Sequence, residues 1–284
     1  MIPHVSIGMP VYNEDKFIRQ ALDSILAQDY HNFELIISDN ASTDETSKIC
    51  QEYALKDSRI RYYHNETNIG SADNFNVVFH LASGPFFMWV SGHDLREPNY
   101  LAECVSMLSR NPEAVLCYSD ALWIDINGKI LEEMKIAIDF HEEENKDRFV
   151  KILYELTYNY PIYGLIRSDK LRSTQLFKQF IGTDVLLLCE LSLYGDFIRI
   201  PHPLIFMRRL DDYGKWSDYF KKLYGRDISK LQSVLEYLKL VKAFFSVINM
   251  YFKSFPVRIS VKNKVLFFFI IKQKTIFFNL LFKG

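Results

Sequence analysis

Residues 4–46 read HVSIGMPVYNEDKFIRQALDSILAQDYHNFELIISDNASTDET, and two interruptions in that stretch decide the fold. An apolar run (Val5, Ile7, Met9) stops at Pro10 and Tyr12-Asn13-Glu14. A helical pattern follows over Glu14 to Gln28, with Phe17, Ile18, Ala21, Leu22, Ile25 and Leu26 at spacings of three and four. A second apolar run, Phe33 to Ile37, stops at Ser38-Asp39-Asn40-Ala41-Ser42. The order is strand, loop, helix, strand, loop. A crossover helix returns the chain to the same edge, so the two strands lie parallel and both loops open at the carboxyl edge, where open α/β sheets bind ligands.

Further along, the device repeats. Thr43 to Leu55 is helical, with Ser42 or Thr43 as cap. A strand is expected over Arg59 to His64, a helix over Ser71 to Ala82, and an apolar strand, Phe86 to Val90, that lacks polar alternation as a buried central strand does. That strand delivers Ser91-Gly92-His93-Asp94 to the same edge. Pro98 to Arg110 reads as a helix and Ala114 to Tyr118 as a strand. Asn127-Gly128 within Trp123 to Ile130 marks a hairpin, where alternating α/β gives way to antiparallel pairing. Phe149 to Leu156 is helical and Tyr160 to Arg167 is a loop with a short strand. Gly182-Thr183-Asp184 opens a helix over Val185 to Leu193 that Gly195 closes as a left-handed cap. Phe197 to Ile200 and Leu204 to Arg208 predict two short strands, and from Trp216 onward the pattern is helical, broken at Ser254-Phe255-Pro256. The fold class is α/β: a mostly parallel central sheet flanked by helices, with a helical C-terminal extension.

The 284 residues, 49% hydrophobic and 24% charged, suffice for a sizeable core. Cys50, Cys104, Cys117 and Cys189 show no metal-type spacing and predict small buried residues in a reducing compartment. No signal peptide is expected at Met1-Ile2-Pro3, and no apolar run approaches the roughly 20 residues that span a bilayer. The net charge of −1 hides an asymmetry: residues 237–284 hold nine basic residues and no acidic one, against 25 basic and 35 acidic before them. A basic segment interleaved with Phe, Leu and Ile predicts an anionic membrane surface as partner. Nucleic acid, which would rest on that segment alone, is not expected.

VSIGMPVYNE (residues 5–14) followed by ISDNASTDET (37–46) resembles the start of the family-2 glycosyltransferases. The resemblance covers about three quarters of the chain. It implies a GT-A domain over 1–215, with a nucleotide-binding half (1–120) and an acceptor half (121–215), before a basic, aromatic-rich helical region at 216–284. It also implies inverting transfer of a sugar from a nucleotide-sugar to a hydroxyl. Nucleoside recognition is expected from Pro10, Val11, Tyr12, Glu14 and Asp39. Tyr12 offers a flat face to a base, and the Asp39 carboxylate can accept the imide N–H of uracil; thymine presents the same edge, and guanine stays open. Asp44 is explained by its helix N-terminus alone. Asn68-Ile69-Gly70 resembles the family's N-x-G loop. No arginine stands between Ile69 and Leu95 to reach the phosphates as in many relatives, which leaves Asn74 as substitute.

Asp94 matches the family's acidic strand-end position, which implies Mn²⁺ or Mg²⁺ bridging the two phosphates, with His93 as second ligand favouring Mn²⁺. Ser91, Gly92 and His93 stand where relatives add carboxylates, so the motif is reduced. Asp184 matches the position of the catalytic base, and Arg208 or Arg209 would clamp the diphosphate. The Q-x-x-R-W signature of processive synthases is absent, which predicts single additions. The acceptor implied is a cell-surface polysaccharide or lipid-linked oligosaccharide, with the protein in the cytoplasm at the inner face of the membrane. A non-catalytic nucleotide-sugar binder of the same fold is the alternative; a nucleotidyltransferase lacks its Gly-rich phosphate loop.

Overall fold

The computed structural model describes residues 4–134, 144–156, 158–210 and 229–269. The first half alternates strand and helix: β1 (Val5–Val11), α1 (Ile18–Leu26), β2 (Phe33–Asp39), α2 (Thr46–Lys56), β3 (Ile60–His64), α3 (Ser71–His80) and β4 (Phe86–Trp89). These strands are parallel in the order β3-β2-β1-β4. Every residue of β1, β2 and β4 is buried, which is why their sequences are largely apolar on both faces, and the buried polar pair Ser6 and Glu34 is hydrogen-bonded, Ser6 Oγ donating to Glu34 Oε1 at 2.6 Å. β1 runs through Pro10, where the sequence predicted its end. Gly8 O accepts from Val90 N, so even-numbered residues of β1 face β4, and the β4 pairing ends at Gly8↔Trp89. The missing proline N–H therefore removes no ladder bond.

The second half is mixed. β5 (Leu95–Arg96), α4 (Tyr100–Arg110), β6 (Ala114–Ile124), β7 (Ile130–Met134), α5 (Asn145–Glu155), a 3₁₀ turn (Tyr160–Tyr163), β8 (Leu165–Arg167), α6 (Ser168–Arg172), α7 (Thr183–Leu191) and β9 (Asp196–Arg208) follow. β8 joins the halves by pairing antiparallel with both β4 and β6, and β6 pairs parallel with β9. The hairpin at Asn127-Gly128 connects β6 to β7, with Gly128 at φ +85°. The two strands expected near 197–208 are one, β9, which passes through Pro201 and Pro203 where its register against β6 slips at Ser119/Asp120. A bulge absorbs the missing donors. Gly195 is no left-handed cap, since Ser192 closes α7 in right-handed conformation. A Cβ at 195 would lie 2.2 Å from Glu113 O, so close packing explains the glycine.

α8 (Lys230–Tyr251) opens on a capping box, Ser229 accepting from Gln232 N at 3.2 Å and Gln232 Oε1 from Ser229 N at 2.7 Å. α9 (Phe255–Phe267) follows, with Pro256 in its first turn. Tyr237, Leu240, Phe244, Val247 and Ile248 of α8 are buried in one hydrophobic core with α5 and α7. That core runs continuously from the domain expected at 1–215 into the C-terminal helices. Trp216 and the basic residues Lys272, Lys274 and Lys283 lie outside the described residues. No described helix is long and apolar enough to cross a membrane.

Candidate functional site

Because β1, β2 and β4 are parallel, their carboxyl ends open together, and a cleft of about 690 Å³ lies there. Residues 10–17, Asn40, Asn68, Asn74 and His93 are among its walls. The two loops of the opening stretch are sewn together. Asn13 N donates to Ser42 Oγ (3.0 Å), Thr43 N to Asn13 Oδ1 (2.8 Å), Glu14 N to Thr46 Oγ1 (2.7 Å) and Asp15 N to Asp44 Oδ2 (3.2 Å). Asn13 sits at φ +55° and Ala41 at φ +60°, backbone conformations that these cross-bonds hold in place. Ser42 and Thr43, expected to cap α2, are used in this stitching, and the helix begins later, at Thr46. Burial alone would raise the Asp44 carboxyl, but donation from Thr46 and Asp15 outweighs it and holds the pKa below the ordinary value.

Tyr12 is 45% exposed on the cleft wall, beside buried Pro10 and Val11. Asp39 lies beneath Asn40, outside the lining. Its Oδ1 accepts from Ser42 N (2.9 Å), and its Oδ2 accepts from Tyr62 OH (2.9 Å) and stands 3.3 Å from His64 Nδ1. Asn40, which sequence reasoning passed over, pins the third loop. It accepts from Ile69 N (2.9 Å) and donates to Asn68 Oδ1 (2.8 Å). Asn68 accepts from Gly70 N as well, and Gly70 begins α3 at φ +86°. Asn74 lines the cleft, yet its amide is spent inside: it accepts from Ser38 Oγ (2.6 Å) and donates to Ser38 O (3.0 Å). Phe75, one residue on, caps an aromatic floor in which Trp89 stacks edge-on with Phe87 and Phe177 and donates Nε1–H to Phe75 O (2.9 Å).

On the far wall, His93 Nδ1 stands 3.0 Å from Glu14 Oε1. The carboxylate fixes the orientation of the imidazole through Nδ1. So Glu14 meets His93 directly. Asp94 is 4% exposed; its Oδ1 accepts from Arg208 N (2.8 Å), and no described residue donates to its Oδ2. Among the described residues no three His, Cys, Asp or Glu side chains are grouped to hold a metal. One carboxylate oxygen and one imidazole nitrogen fit an ion that draws its other ligands from phosphates and water, and do not fit a tight all-protein site.

The Arg208 guanidinium turns away from the cleft. Its donors go to His93 O (3.0 Å), Asp125 O (3.0 Å), Ile126 O (2.9 Å) and Gln20 Oε1 (2.8 Å), and it stacks 4.5 Å above the Phe17 ring. It thereby holds the 93–94 loop to α1 and the β6–β7 hairpin. Arg209 stacks over Trp123 and is paired with Glu132, also outside the lining. Asp184 stands at the start of α7, after Gly182 at φ +72°. Val185 N donates to its Oδ1 (2.9 Å) and Asn159 to its Oδ2. Burial pushes this carboxyl above the ordinary aspartate value despite those donors. The loop before α7 is tied to α3 by a reciprocal pair, Phe177 N to Asn76 Oδ1 (3.1 Å) and Asn76 Nδ2 to Phe177 O (2.9 Å). Asp184 does not line the 690 Å³ cleft.

Over 92% of its length the chain is 27% identical to an uncharacterised glycosyltransferase of Rickettsia typhi, of which it covers 86%. Three other curated relatives are much longer, and the match spans 19%, 20% and 22% of their length. Among solved structures, Staphylococcus aureus TarS in complex with UDP-GlcNAc superposes with a TM-score of 0.71 at 17% identity, over 95% of this chain and 73% of that one. The mannosyltransferase PcManGT of Pyrobaculum calidifontis, in complex with GDP-Man and Mn²⁺, gives 0.60 at 15% identity, over 95% and 71%. These likenesses concern the fold, which is GT-A. The profile of glycosyl transferase family 2 matches residues 6–173, from the first buried strand through the reduced acidic loop to α6, and by that match the chain belongs to glycosyl transferase family 2 and is a glycosyltransferase.

Proposed function

We propose that this enzyme transfers a sugar, with inversion, from a nucleotide-sugar whose base is uracil to a hydroxyl of a cell-surface polysaccharide or lipid-linked oligosaccharide. The observation that carries the reading is the cleft itself: three loops at one sheet edge, with exposed Tyr12 on one wall and the His93–Asp94 loop at the other. UDP-GlcNAc in TarS supports uracil, and GDP-Man in PcManGT keeps guanine as the competitor to exclude. Tyr12 takes the base, with Pro10, Val11 and the Asp39 loop around it, and Asn68, which accepts from Gly70 N, bounds the cleft beside them. Asp94, with His93 held by Glu14, would hold Mn²⁺ or Mg²⁺, and such an ion neutralises charge on the departing diphosphate. Asp184 takes the proton of the attacking hydroxyl; its upward-shifted carboxyl makes it the stronger acceptor. Inversion follows from a single displacement on the face opposite the leaving group. We further propose peripheral attachment to an anionic leaflet through the basic C-terminal helices.

Release of nucleoside diphosphate from UDP-, dTDP- and GDP-sugars, with Mn²⁺, Mg²⁺ or EDTA, tests the reading. Slow hydrolysis of the UDP-sugar, lost with EDTA and with Asp94→Ala, is the expected outcome. No release from any donor under any metal condition would sink it.

A further inference from the structure

A nucleotide-sugar brings two phosphates into a cleft that is already acidic. Glu14 and Asp15 line it, and Asp39 and Asp94 adjoin its walls. Cation is therefore needed there, and the arginines that the sequence offered are engaged elsewhere: Arg208 on three carbonyls and Gln20, Arg209 on Glu132. Of the residues that line the cleft, two can carry positive charge, His93 and Lys16, and His93 Nδ1 meets Glu14. Lys16 is exposed, and its ammonium has no hydrogen-bond or ion-pair partner among the described residues. Its root is nonetheless fixed. Glu14 N and Asp15 N are bonded to Thr46 and Asp44, and Phe17 lies under the Arg208 guanidinium. A four-carbon stem on a fixed root lets a compact charge swing onto a phosphate without ordering the backbone anew.

We infer that Lys16 binds the diphosphate of the donor, the task for which many relatives use an arginine at the start of the third helix. The inference rests on the nucleotide-sugar reading above. It also explains how a reduced acidic motif holds its substrate, since a lysine on the opposite loop shares the charge with whatever cation Asp94 carries.

The test is equilibrium binding of uridine, UMP and UDP to the full chain in EDTA, at low salt, for the wild type, Lys16→Met and Lys16→Arg. The wild type is expected to prefer UDP over uridine. Lys16→Met is expected to weaken UDP about tenfold, equivalent to ~1.4 kcal/mol, and to leave uridine unchanged, so that the preference collapses; Lys16→Arg should retain most of it. Equal UDP affinity in wild type and Lys16→Met, or equal weakening of UDP and uridine, would overturn the role of Lys16 and leave the transferase reading standing. A wild type that binds no nucleoside diphosphate, dTDP and GDP included, would overturn the function itself and this inference with it.

Discussion

Asp184 is a carboxyl on which two influences oppose each other. Burial favours the protonated form, while the Val185 N–H and the Asn159 amide favour the charged one. Burial wins, so the group binds its proton more tightly than the ordinary aspartate value of 3.8. A general base works only when ionised. Activity should accordingly fall as pH drops through the raised pKa, and the acidic limb of kcat/KM for the acceptor should lie above the ordinary aspartate range. Asp184→Asn should cost about 10²- to 10⁴-fold in transfer and abolish that limb. UDP affinity should stay within about twofold, because the residue lies outside the donor cleft. Retained transfer in Asp184→Asn, with the limb in place, would assign the base elsewhere.

At the level of elements, α7 is locked by its other end. Glu190, the penultimate residue of α7 and 1% exposed, accepts from Gln175 N (3.0 Å) and from Tyr251 OH of α8 (3.2 Å). Tyr251 also reaches Ser173 O (3.1 Å), so one buried carboxyl joins α7, the loop before it and α8. Burial raises the Glu190 pKa above 4.5, against those donors. The folded state then holds the proton more tightly than the unfolded chain does. That contribution to stability is complete below the ordinary glutamate range and is lost as pH rises through the folded pKa. Glu190→Gln removes the titration, so its melting temperature relative to wild type should climb as pH rises from the ordinary glutamate range through the raised pKa, read in thermal unfolding scans across that window. A constant difference across that window would contradict the assignment. None of this network was legible in the sequence, because Gln175, Glu190 and Tyr251 are spread over three segments and share no pattern. β1, β2 and β4 were legible, since strands buried on both faces are predominantly apolar and the loops after them carry most of the polar residues. β9 was not, because Pro201 and Pro203 signal breaks unless the bulge opposite them is known. Arg208 illustrates a different limit: sequence supplies a cation at the right strand end, and only the backbone carbonyls of 93, 125 and 126 decide that it points inward.

For the whole molecule, the segregation of charge becomes a surface. On α9, at 100° per residue, Ile259, Leu266 and Phe267 fall on one face, with Lys262 and Lys264 on its two flanks. All three apolar residues are exposed, and Leu235, Leu238 and Met250 are exposed on α8. The inner faces of both helices are already committed to the core through Phe244, Val247, Val261 and Val265. An outward apolar strip flanked by lysines suits an anionic leaflet, where apolar side chains enter the acyl boundary while lysine stems extend toward the headgroups. Each basic residue near such a surface contributes roughly 1 kcal/mol. Replacing Lys262 and Lys264 with Ala should therefore weaken binding to anionic vesicles by about 2 kcal/mol, some 30-fold, and raised salt should have a similar effect. Leu266→Ser with Phe267→Ser should weaken it at any salt, because area burial is not screened. Flotation with vesicles of mixed neutral and anionic lipid reads both effects, and vesicles of neutral lipid alone supply the control. Binding that is equal on neutral and anionic vesicles, or unaffected by either pair of substitutions, would remove α9 as the membrane-facing element and return its exposed strip to contact with another protein surface.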